Sequence, residues 1–85
     1  MLVSELVWST TAIGKVADVL CMNGERLIVY QDNVVDDVFD VTVGRPWEKA
    51  ESYHRAVDLM TLQSLLFHYT AKFNMRNKSS EETTV

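Results

Sequence analysis

The chain has one cysteine, Cys21, one proline, Pro46, and three glycines in 85 residues. A lone thiol excludes an internal disulfide, and with only two histidines it leaves too few ligands for a zinc site of the usual kind. No metal or cofactor is expected. No apolar run approaches the roughly 20 residues that span a bilayer, and Met1 to Glu5 lacks the basic and apolar regions of a secretory signal. These absences predict a soluble cytoplasmic protein with no membrane partner. Basic residues are also few, 8 against 12 acidic, for a net charge of −4 that disfavours direct binding to a polyphosphate. Nucleic acid is therefore not an expected direct ligand. The chain also lacks Gly-x-Ser-x-Gly, Walker, dinucleotide and His-Glu-x-x-His patterns, so no enzymatic activity is expected.

What remains is an ordinary globular composition, 47% hydrophobic and 24% charged, too short for more than one core. A domain this small buries only about 60 to 65% of its unfolded surface, so its margin is thin unless a partner adds burial.

Asn23-Gly24 predicts a β-hairpin through a two-residue type I′ turn, joining Lys15–Met22 to Glu25–Gln31. In that register Leu20 faces Leu27, Val19 faces Ile28 and Ala17 faces Tyr30, with apolar residues on both faces. The competing reading is a helix over Thr11–Met22, which Gly14 and the β-branched Val16 and Val19 oppose. After the Asp32-Asn33 turn, Val35, Asp37, Phe39, Val41 and Val43 alternate with Asp36, Val38, Asp40 and Thr42, as in a strand with one apolar face. Leu2–Trp8 is read as a further strand.

Gly44-Arg45-Pro46 ends the strands. One helix is expected from Pro46 to Arg76, roughly 46 Å long, with Trp47 as a core anchor near its start. The expected fold is thus α+β: an antiparallel three- or four-stranded β-meander followed by a long C-terminal helix packed on the sheet. An SH3-like barrel with an appended helix is the runner-up. Residues 1–77 form the domain and 78–85 a flexible polar tail.

Two apolar stripes run along the expected helix, stepping about 100° per residue. Tyr53, Val57, Met60, Phe67 and Ala71 make one. Leu59, Leu62, Leu66, Tyr69 and Phe73 make the other, nearly opposite. A single sheet covers one face, so the second stripe is expected to be a dimer or partner interface, unless the helix breaks near Asp58–Thr61 or the N-terminal segment wraps over it.

Asp32, Asp36, Asp37 and Asp40 are read as a solvated face, with engagement of a basic partner as the alternative. His54 and His68 would lie about 21 Å apart along a continuous helix, too far to share a metal. Cys21 is read as a buried, inert thiol. The terminal Glu82-Thr83-Thr84-Val85 fits carboxylate capture of Val85 by a PDZ-type domain, a short pattern that arises often by chance.

The function these features support is that of a small, acidic, non-catalytic interaction protein. It would be a homodimer that binds and modulates or inhibits an unidentified protein. The alternative is an acidic decoy that mimics nucleic acid and inhibits a nucleic-acid-binding or defence protein.

Overall fold

The computed structural model describes the backbone of residues 1–35, 37–45 and 52–84, with side chains through Phe73. A 3₁₀ turn, Val3–Glu5, leads into β1 (Trp8–Thr10), β2 (Gly14–Leu20), β3 (Arg26–Asp32), β4 (Phe39–Gly44), β5 (Ser52–Val57) and the helix α1 (Leu59–Thr84). The strands form one antiparallel five-stranded sheet in chain order. The α+β class and meander are as the sequence predicts; the sheet has one strand more than the upper expected number.

That strand is β5, in a segment expected to be helical. The helix begins at Leu59 rather than Pro46, and residues 46–51, including Trp47, lie outside the described residues. Asp58 sets the boundary. Its carboxylate accepts the N–H of Thr61 at 2.8 Å and its carbonyl accepts the N–H of Leu62 at 2.8 Å, an N-cap that starts a helix there. The backbone of α1 continues through 78–84, the segment expected to be a separate tail. At the other end, the segment Leu2–Trp8 expected as a strand holds the 3₁₀ turn Val3–Glu5, and pairing begins only at Trp8.

The hairpin forms one residue out of the expected register, with Val19 opposite Leu27 and Ala17 opposite Val29. Gly24 has φ +88° and Asn23 is not in the left-handed region, so a type I′ turn is not formed. Instead Gly24 donates to the Cys21 carbonyl at 3.0 Å and Cys21 donates to the Glu25 carbonyl at 2.8 Å, which makes a three-residue loop ending in a left-handed glycine. The one-residue shift decides which side chains face the core. Ala17, Leu27 and Val29 point inward while Val16, Asp18, Leu20, Ile28 and Tyr30 point away.

In β4 the predicted alternation holds: Phe39, Val41 and Val43 are buried. With Ala17, Leu27 and Val29 they receive Leu62, Leu66, Tyr69 and Phe73 of α1. The two helical stripes have therefore exchanged roles. The stripe expected to meet a second copy is covered by its own sheet, except Leu59, which is 55% exposed at the first turn, and the stripe with Met60 and Phe67 faces outward. Gln63 closes the layer from the flank, its amide donating to the Met1 carbonyl at 2.7 Å and accepting from the Val3 N–H at 2.8 Å.

Candidate functional site: an open sheet face and an acidic cleft

Because α1 covers one side of the sheet, the other side meets solvent. The strand register aligns Asp18, Ile28, Thr42 and Tyr53 across β2 to β5, with Val16, Tyr30 and Asp40 in the next row and Leu20 beside Arg26. Leu20, Ile28 and Tyr53 are exposed, and Val16 and Tyr30 are half-buried. Solvated faces of antiparallel sheets usually alternate to polar side chains; this one carries aliphatic and aromatic groups instead.

Charge on this face is largely internally matched. Asp18 and Arg26 approach to 3.8 Å. The Tyr30 hydroxyl donates to the Ile13 carbonyl at 3.2 Å and lies 3.3 Å from Asp32 Oδ2. Burial, and then the Asp32 charge, push its pKa above the ordinary phenol value, so the ring stays neutral.

Of the four aspartates of the candidate acidic face, the three that the structure describes are engaged in different ways. Asp32 Oδ1 accepts the Val34 N–H at 2.7 Å and holds the turn after β3. Asp40 Oδ1 accepts the N–H of Ala56 at 2.9 Å. That bond fixes a bulge: Phe39 pairs with Val57 and Val41 with His54, so β5 carries an extra residue there and Ala56 sits at φ +55°. Asp36 lies outside the described residues. Asp37 lines a cleft of about 380 Å³, with Asp58 on its rim and Phe39, Leu59 and Met60 as its apolar wall, and Asp32 lines a separate one with Lys15, Gln31 and Asn33. The hydrogen bonds from the Thr61 side chain and N–H hold the Asp58 carboxyl below its ordinary pKa.

The histidines are not separated along a helix. His54 lies on β5 and reaches the Tyr69 hydroxyl at 2.9 Å, and His68 packs edge-on against the same ring with centroids 4.9 Å apart. Lys72 lies over the Tyr69 and Phe73 rings, 5.9 and 5.8 Å from their centroids. This cluster ties α1 to β5. Among the described residues no three His, Cys, Asp or Glu side chains are grouped to hold a metal, and no helix is long and apolar enough to cross a membrane. Cys21 is buried in the core, and desolvation followed by the nearby Glu25 charge raises its pKa, which keeps it a thiol. Val85 lies outside the described residues.

The sequence held a signal for the N-cap, Asp58 three residues before Thr61, but none for the Asp40–Ala56 bond or the Gln63 clasp, which join segments distant in the chain. Comparison with protein-family models, curated proteins and solved structures finds no match.

Proposed function

We propose that this protein is a small non-catalytic interaction module that binds an apolar surface of a protein partner through its open sheet face and modulates that partner by occupying it. The observation that carries this reading is the exposure of Leu20, Ile28 and Tyr53 on one face of the sheet, where Asp18 and Arg26 are paired with each other. Contiguous apolar patches on a chain this small mark interaction sites, and aromatic residues supply contact area at low entropic cost. The placement of the aspartates favours this over charge mimicry of nucleic acid, because Asp32 and Asp40 are engaged with backbone N–H groups.

The test is capture from a lysate of the native host, followed by reconstitution with the purified partner and calorimetry. A Leu20→Lys, Tyr53→Glu chain should keep its circular dichroism spectrum and bind at least tenfold more weakly. If no purified protein forms a stoichiometric complex, or if the doubly substituted chain binds as tightly as the wild type, the reading fails.

A further inference from the structure

The loop that closes the β2–β3 hairpin holds the chain's single Asn-Gly pair, Asn23-Gly24. In such a pair the glycine nitrogen carries no neighbouring side chain to block its approach to the asparagine carboxamide, so the two groups can react with each other. The reaction needs the Gly24 N–H free to ionise and the Asn23 carboxamide free to turn toward it. The structure removes both freedoms. Gly24 donates its N–H to the Cys21 carbonyl at 3.0 Å. The carboxamide is held at both ends by one residue: Nδ2 donates to Glu25 Oε2 at 2.8 Å, and Oδ1 accepts the Glu25 N–H at 3.1 Å. Its orientation is forced, because the exchanged carboxamide would set Oδ1 against a carboxylate and Nδ2 against an N–H. Glu25 is only 7% exposed and is the one buried charged side chain among the described residues, so the donor that meets it matters to the fold.

We propose that Asn23 is a deamidation site held in check by the loop: the Glu25 clamp blocks the reaction while the hairpin is closed, opening of the loop permits it, and the product prevents the clamp from re-forming. The Gly24 nitrogen gives its proton to hydroxide and bonds to Cγ of Asn23. The Cγ–Nδ2 bond then breaks as Nδ2 takes a proton from water and leaves as ammonia, which regenerates the hydroxide. Water opens the resulting succinimide at either carbonyl, leaving aspartate or isoaspartate. One water enters, one ammonia leaves, and nothing is oxidised or reduced.

Each product undoes the clamp in its own way. In aspartate the donor that faced Glu25 is replaced by a carboxylate oxygen, and two negative charges at that distance disfavour each other. In isoaspartate the main chain gains a carbon inside a loop whose length sets the hairpin register. The change is one-way and adds a negative charge at the end of the hairpin. It goes beyond the interaction-module reading and does not depend on it.

Peptide mapping of the chain held at mildly alkaline pH, with aspartate and isoaspartate separated by chromatography and mass spectrometry, follows the reaction at Asn23. The folded chain should react there at least tenfold more slowly than the same chain in guanidinium chloride, as expected of a site that reacts only from an opened state. Glu25→Ala should keep the circular dichroism spectrum and speed the folded chain about tenfold, the effect of losing one hydrogen bond to a charged group. Glu25→Gln, which still accepts from Nδ2, should stay slow. Asn23→Asp reproduces one product, and it should lower the melting temperature more when Glu25 is present than on the Glu25→Gln background, which brings no second charge. That comparison decides even if Glu25→Ala does not fold. Equal rates in the folded and unfolded chains, or a folded Glu25→Ala chain that reacts no faster than the wild type, overturns the clamp. Equal melting losses from Asn23→Asp on the two backgrounds overturn the claim that the product keeps it open.

Discussion

The Tyr69 hydroxyl of α1 lies 2.9 Å from Nε2 of His54 on β5, so the helix is held to the sheet's edge strand by a polar contact as well as by packing. The bond runs in either direction according to the imidazole tautomer. Tyr69→Phe keeps the ring but leaves the imidazole nitrogen unpaired, and should cost about 1 kcal/mol in urea unfolding. In a double-mutant cycle, His54→Ala on the Tyr69→Phe background should cost less than on the wild type, because the shared bond is already gone.

Leu66 is fully buried between α1 and the sheet. Leu66→Ala should destabilise by about 2 to 5 kcal/mol, and Leu66→Glu should unfold the chain rather than yield a folded monomer. Thermal unfolding followed by circular dichroism checks both. Met60→Ser on the outward stripe should leave the melting of a dilute, monomeric sample nearly unchanged.

Gly14 and Gly24 are required for different reasons, and alanine separates them. A Cβ at Gly14 would collide with the Gln31 carbonyl oxygen, so Gly14→Ala must push β2 and β3 apart. A Cβ at Gly24 meets nothing within 4 Å, and the cost there comes only from φ +88°. Gly24→Ala should therefore lose about 1 kcal/mol, and Gly24→Asn less, while Gly14→Ala should lose more than either. Equal losses at the two sites would contradict this assignment.

Asp40 and Asp58 each accept a backbone N–H, so Asn should substitute well at both and Ala poorly. Asp40→Ala should cost about 1 kcal/mol by leaving the Ala56 N–H without its acceptor. The pH dependence at Asp58 has a definite sign. Its folded pKa is depressed, so its contribution is present above the unfolded carboxylate pKa and is lost as pH falls through the folded value. Asp58→Asn should flatten that part of the acid limb in melting temperature against pH.

Cys21 should react slowly with iodoacetamide at pH 8, since burial and the Glu25 charge keep it protonated and covered. A rate at least tenfold below that of the chain in guanidinium chloride is expected, and equal rates would show that the hairpin end opens readily.

Much of the sheet was legible in the sequence because its signals are local. Phe39, Val41 and Val43 alternate with polar neighbours over a stretch short enough for periodicity to decide, and Asn23-Gly24 marks a reversal whatever turn it adopts. What was not legible depended on competition between segments. Tyr53 and Val57 fit a helical line with Met60, and only pairing with β4, completed by the Asp40–Ala56 bond, draws Ser52–Val57 into the sheet. Once that happens Asp58 caps α1 and the helix starts at Leu59, and the stripe of Leu62, Leu66, Tyr69 and Phe73 turns inward. Both stripes were visible from the spacing. Which one the sheet would take was not, because that choice is set by the strand that precedes the helix.

The Gln63 clasp bears on the order in which the chain folds. Every strand pairs with its neighbour in sequence, so the meander closes through short loops at little entropic cost. Gln63 instead joins Met1 and Val3 across separations of 62 and 60 residues. Helix docking and capture of the N-terminal turn therefore share one fastening, and it closes a far longer loop than any strand pairing does. In native-state hydrogen exchange the first turns of α1 and the amide of Val3 should open together, at lower free energy than the central β3–β4 ladder.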